Sequence, residues 1–237
     1  MATLPKKLSE PNDNPLAYST LGYGPPKIGK TSLFKGMKYF FMDGEKGTKA
    51  MRTYRRFVSD WDDVREYRDL LHSGGYRLYR GLVVDPVEKF YIFCMRYTCK
   101  KGKVEHPTDE EYGKGWERLR REFLSVMGDL AALPFGVAFL SHSQVSQIKT
   151  KNSDDSRISP KLSGMARHTI VPLVDTIAYI GNDPRDEDKR LIWLRGTSLI
   201  EAGTRMEESF KVPRKVIYYR GMNWADVMKK VTPLKRS

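Results

Sequence analysis

The sequence predicts an α/β domain with a mainly parallel sheet, helices on both faces and a C-terminal hairpin. Three observations predict it. Short apolar runs alternate with segments of helical spacing along most of the chain. Several runs end in a polar residue, as Gly81-Leu82-Val83-Val84-Asp85 does. A glycine-rich loop follows the first run. Strands separated by helices pair in parallel, and the crossovers cover the sheet.

The elements follow in order. Residues 1–15 are polar and rich in Pro and Asn, and read as a flexible lead-in. The domain is expected over 16–220, with a basic tail over 221–237. Ala17 to Tyr23 is the first strand, and Ser32-Leu33-Phe34 begins a helix. Met37 to Met42 is a short strand ending at Asp43-Gly44-Glu45-Lys46-Gly47. Ser59 or Asp60 caps a helix carrying Trp61, Val64, Tyr67 and Leu71, and Gly74-Gly75 stops it. Gly81 to Asp85 is a buried strand. Cys99 to Gly115 is polar and reads as a loop. From Trp116, the residues Leu119, Phe123, Val126, Met127 and Leu130 keep helical spacing until Pro134. Gly136 to Leu140 is another buried strand, ending at Ser141-His142-Ser143-Gln144. Val145 to Ser163 is polar and loop-like. Ile170 to Ile180 supplies a further strand. Leu191 to Leu194 and Val212 to Tyr219 are late strands of a hairpin.

Composition narrows the class. A chain of 237 residues with 40% hydrophobic content suits one sizeable domain. Apolar runs such as Phe135 to Leu140 are too short to span a bilayer. Met1 to Lys7 lacks the apolar core of a signal peptide. The expectation is a cytoplasmic protein with no membrane partner. Cys94 and Cys99 lack companions for a metal site and read as reduced thiols. Lys and Arg number 42 against 29 Asp and Glu, a net charge of +13. That excess points to a polyanion, with nucleic acid first.

Gly24-Pro25-Pro26-Lys27-Ile28-Gly29-Lys30-Thr31 reads G-x-x-x-x-G-K-T, a phosphate-binding loop, and Ser32 follows it. Glycines let the backbone wrap around a phosphate with its N–H groups turned inward. A following helix would aim its positive end at the same phosphates. Lys30 reaches the β- and γ-phosphates of ATP, and Thr31 joins the shell of a Mg²⁺ ion. Asp85 ends an apolar strand and is the second metal-holding candidate. In open parallel sheets ligands bind beyond the carboxyl ends of the strands. Asp43, Glu45, Asp85 and His142 therefore converge near the loop. Pro86 occupies the place after Asp85 where many such proteins keep a glutamate base. Glu88 is expected to turn away at the start of a helix, which leaves Glu45 as the base.

This motif order resembles the RecA-like P-loop ATPases, whose catalytic glutamate lies in an F-x-D-x-E pattern after the phosphate-loop helix. Here that stretch is Phe40-Phe41-Met42-Asp43-Gly44-Glu45. More narrowly, the phosphate loop, the Asp-Gly-Glu-Lys-Gly turn and Phe139-Leu140-Ser141-His142 resemble small phage ATPases linked to single-strand annealing and recombination. The resemblance covers Leu16 to Ile180, and more loosely the rest. It implies Mg²⁺-dependent ATP hydrolysis in phage DNA recombination or annealing on single-stranded DNA, by a homo-oligomer, with recombination or replication proteins as further partners. It also implies catalytic roles for Lys30, Glu45, Asp85, His142 and Arg205.

His142 departs from the glutamine of RecA itself, and is either a phosphate sensor or a structural histidine. Arg205 is either an arginine finger or a surface arginine near a turn. The loop after the sensor strand contacts DNA in the RecA-like group, which puts Lys149, Lys151, Arg157 and Lys161 forward, beside Asp154 and Asp155. Tyr97, Lys100, Lys101 and Lys103 form a second basic segment. No N-K-x-D motif for guanine is present, so ATP is preferred to GTP. The rival reading is an ATPase acting on a protein, such as a helicase loader or a packaging motor.

Overall fold

A computed structural model describes residues 4, 6–149, 154–162, 164–183, 185–219 and 221–234, with the backbone alone for 148, 149, 154, 155, 187 and 188. In chain order the elements are β1 (Thr20–Gly24), β2 (Tyr39–Asp43), β3 (Tyr54–Phe57), α1 (Trp61–His72), β4 (Gly81–Asp85), α2 (Val87–Gly102), α3 (Lys114–Ala131), β5 (Gly136–Lys149), β6 (Asp154–Pro160), α4 (Gly164–Leu173), β7 (Thr176–Asp183), β8 (Asp186–Trp193), β9 (Gly203–Thr204), β10 (Phe210–Lys211), β11 (Lys215–Tyr218), α5 (Trp224–Met228) and β12 (Thr232–Pro233).

The main sheet runs β11-β8-β7-β1-β5-β4-β2-β3. From β7 to β3 every pairing is parallel. β8 and β11 extend that sheet antiparallel at one side. The order puts β5 between the phosphate-loop strand β1 and the Asp85 strand β4. This is a mainly parallel sheet with helices packed on it.

Alternation along the strands builds two cores. On β2, Phe40 and Met42 face one side while Tyr39 and Phe41 face the other. The first core packs under α1–α4, with Trp61 and Phe123 stacked at 5.8 Å. The second lies under α5, short turns and the C-terminal strands. Burying each of these large side chains is worth about 1.5–3 kcal/mol.

Three departures from the sequence reading have physical reasons. Val145 to Ser163 is a ribbon for much of its length, not a loop: β5 continues to Lys149 and pairs antiparallel with β6. A half-exposed ribbon needs no continuous apolar run. Residues before and after Cys99 form one helix, because α2 runs on to Gly102 and its polar last turn faces outward. Residues 221–234 are no separate tail: Trp224, Val227, Met228 and Val231 are buried in the second core.

Candidate functional site

The phosphate loop leaves the fully buried strand β1 at Gly24. A side chain at Gly24 would collide with the Ile180 carbonyl. Lys27 and Gly29 take positive φ, 64° and 102°, a region that suits Gly29 and costs Lys27. Lys30 is buried, and its Nζ donates to the carbonyls of Gly24 and Pro25 at 2.9 Å each. Burial pushes its ammonium pKa down, against the opposing pull of Asp85, Glu88 and Glu45. The expected helix after the loop is absent. Thr31–Phe34 is a single 3₁₀ turn, and Lys35 is already extended. Gly36 and Lys38 then adopt positive φ and return the chain to the sheet. Leu33 and Phe34 spend this turn on core packing.

Thr31 Oγ1 donates to Asp85 Oδ2 at 2.5 Å. Burial raises the Asp85 carboxyl to about 6, although the Thr31 bond and Lys30 oppose the shift. Asp43 lies at the matching register position on β2. It is buried and accepts from the N–H of Glu45, Gly47 and Thr48 and from Thr48 Oγ1. Asp43 thus shapes the turn that carries Glu45. Glu45, Lys30, Thr31, Asp85 and His142 all line one cavity of about 480 Å³. Among the described residues no group of three His, Cys, Asp or Glu side chains could hold a metal by itself.

Glu88 does not turn away. It lies in the first turn of α2, but its Oε1 accepts from the His142 main-chain N–H at 2.9 Å and lies 2.6 Å from His142 Nδ1. The expectation failed because Pro86 and Val87 pack into buried positions and swing the next residue back over β5. The pairing gives His142 a structural partner, while its ring still lines the phosphate cavity. Glu88, Glu45 and His142 also line a second cavity of about 950 Å³ with Ile92, Met95 and Trp116.

The remaining candidates scatter. Arg205 is exposed at the far ends of the strands: Thr204 pairs with Thr176, which pairs with Thr20 at the start of β1. There its Nη2 donates to the Pro172 carbonyl. Arg157 turns inward, with its Nε buried. Lys161 is exposed beside the second cavity, and its N–H donates to the His142 carbonyl at 2.7 Å. Lys151 and the Lys149 side chain lie outside the described residues.

One residue was missed. Arg190 of β8 rests its guanidinium on the phosphate loop, so that a side chain at Gly29 would meet Arg190 Nη1 at 2.5 Å. No motif marks Arg190. Only the tertiary pairing of β8 with β7 and β11 brings it there.

A prophage protein of Bacillus subtilis strain 168, the SPbeta prophage-derived uncharacterized protein YorG, is 24% identical over 195 residues. That match covers 78% of this chain, and the chain spans 58% of the relative's length. Two solved structures align with this chain at low similarity. The KaiC-like protein PH0186 of Pyrococcus horikoshii OT3 aligns with a TM-score of 0.47 and 12% identity, over 86% of this chain and 91% of that one. The RadB recombinase aligns at 0.44 and 15%, over 86% and 90%. The family described as AAA domain matches residues 17–206, from the approach to β1 to just past β9. That span takes in the phosphate loop, both acidic strand ends and the His142 strand, and the chain belongs to this AAA-domain family of ATPases.

Proposed function

We propose that this protein binds and hydrolyses ATP with Mg²⁺ and acts on single-stranded DNA in phage recombination or annealing. The observation that carries the nucleotide part is the Thr31–Asp85 bond inside a cavity shared with Lys30 and Glu45. Hydroxyl and carboxylate together are a hard oxygen pair of the kind Mg²⁺ takes, with the nucleotide and water completing its shell. Bound there, the ion would offset charge on the phosphate oxygens.

The chain's own residues divide the remaining work. Lys30, released from its two carbonyls, would place its ammonium against the phosphates. Arg190 adds positive charge over the same loop. Glu45 orients water and takes its proton. Its turn is held by four bonds to Asp43, so its backbone is preset. His142, held by Glu88, would face the terminal phosphate from β5. Charge placed before the reaction stabilises the transition state without reorganisation. Arg205, at the far strand ends, is kept as a finger acting on a neighbouring subunit.

The DNA part rests on the +13 charge and on the prophage origin of the relative. A rival partner is a protein. The apolar lining of the larger cavity, with Ile92, Met95 and Trp116 beside Glu45 and His142, favours that reading. ATP hydrolysis measured with no polymer, single-stranded DNA, duplex DNA and RNA decides. Stimulation by single strands supports the first reading. A rate indifferent to every polymer supports the second.

A further inference from the structure

Residues 46–57 carry Lys46, Lys49, Arg52, Arg55 and Arg56 and no acidic residue. They form the turn after β2 and the strand β3, which ends the main sheet and pairs only with β2 among the described residues. Lys46, Lys49, Arg52 and Arg56 are exposed, as are Arg77 and Arg80 close by. Among the described residues none of these six forms an ion pair. The arginines of α1 and α3 behave differently: Arg65, Arg68, Arg118 and Arg120 all meet carboxylates. This edge therefore carries positive charge that no carboxylate among the described residues balances.

Charges on an edge strand also discourage aggregation. That purpose alone does not account for the rings between them. Tyr54 is 53% exposed and Phe57 40% exposed, on the same strand as Arg55 and Arg56. Tyr79 meets Tyr54 edge-on at 5.6 Å and continues the aromatic surface toward Arg77 and Arg80. Exposed cations attract a phosphate backbone, and open rings accept unstacked bases. A duplex offers phosphates but keeps its bases stacked.

The edge is also wired to the candidate site. Arg55 lies 5.5 Å over the Phe57 ring and donates to the carbonyls of Thr48 and Met51. Thr48 is bound to Asp43, which holds the Glu45 N–H. Met51 and Glu45 themselves line the phosphate cavity.

We infer that the β3 edge, with the turn before it, binds single-stranded nucleic acid, and that Arg55 links its occupancy to the turn carrying Glu45. The inference rests on the polymer reading above and places the polymer away from the β5–β6 ribbon. Binding of labelled oligothymidylate, followed by fluorescence anisotropy across a salt series, tests it. The Arg52→Ala/Arg56→Ala protein should bind at least about tenfold more weakly, and its slope of log affinity against log salt should shrink by about 1.4. Tyr54→Ala should weaken binding about fivefold or more with the slope unchanged. Both variants should keep the parent's polymer-free hydrolysis rate and melting temperature. If the parent binds and these variants bind equally well, while Lys149→Ala/Lys151→Ala/Lys161→Ala loses binding, the edge assignment is overturned and the polymer reading stands. A parent that binds no oligothymidylate overturns both. Equal loss for duplex and single strand through the same residues overturns the single-strand preference.

Discussion

Thr31 Oγ1 and Asp85 Oδ2 share a 2.5 Å hydrogen bond across 54 residues of sequence. The bond joins the end of the phosphate loop to the end of β4. It orders the two candidate metal-holding oxygens side by side before any ion arrives.

The buried Lys30 completes that corner. Lys30→Ala should lower nucleotide affinity on the order of 10- to 100-fold, the scale of a lost charge-assisted contact. The melting temperature should hold, because its present partners are carbonyls of its own loop. Equilibrium binding of a fluorescent ATP analogue checks it, and hydrolysis at the parent rate would refute the site.

Glu45→Gln should bind ATP but turn over on the order of 10²–10⁴ more slowly, as loss of a general base does. Glu88→Gln should be milder. It keeps an acceptor for the His142 N–H and weakens only the ring contact. Single-turnover kinetics decide between the two carboxylates. A larger defect at Glu88 would transfer the base role to α2.

Asp85 makes a pH-dependent prediction for the metal-free protein. Its folded pKa, about 6, is raised from 3.8. Such a group stabilises the fold fully below 3.8, and that contribution is lost as pH rises through about 6. With chelator present, Asp85→Asn should therefore be more stable than the parent at pH 8, by on the order of 1–3 kcal/mol. The difference should vanish near pH 4. Thermal melts at the two pH values check this, and a variant less stable than the parent at pH 8 would contradict it.

Arg190 and Gly29 are coupled by contact. Gly29→Ala must strain a backbone at φ 102° and displace the Arg190 guanidinium. Arg190→Ala removes the guanidinium and its stem and leaves the loop backbone unchanged. We expect it to weaken ATP binding on the order of tenfold at unchanged melting temperature, read by titration calorimetry. Unchanged affinity would leave Arg190 as packing for the loop.

Arg205 lies away from its own phosphate loop, which is at the other ends of the strands, so the proposed finger role is tested between subunits. Arg205→Ala subunits should be inactive alone and regain activity when mixed with Lys30→Ala subunits, because some interfaces would then hold two intact halves. Mixed assemblies that form but stay inactive would assign Arg205 to its contacts with Pro172 and Asp175.

Much of the scaffold was legible, for reasons particular residues show. Gly81 to Asp85 was read at its observed bounds because a parallel strand buried on both faces is a continuous apolar run. The cap at Asp60 was legible because its carboxylate accepts a helix N–H in the usual way. The gathering of Lys30, Thr31, Asp85, Glu45 and His142 followed from strand ends pointing one way. What stayed hidden depends on contacts between distant segments. Gln144, Ser146 and Gln147 carry no signal that separates a solvated ribbon from a loop. Ile170 belongs to α4, because a short apolar stretch suits helix and strand alike. Glu88 reads as an ordinary first-turn carboxylate until β5 places His142 against it. Arg190 reads as one more surface cation until β8 folds beside the loop.

The brevity of the turn after Thr31 brings the phosphate loop close to the second core. A long helix would act as a stiff rod between the loop and the rest of the domain. Here Leu33 and Phe34 follow Thr31 at once and are wedged into the second core, where Phe34 lies 5.8 Å from Trp224. One aromatic contact thus separates the loop's anchor from the C-terminal segment. A change in how that segment packs would therefore be felt at the phosphate loop through a single pair of rings.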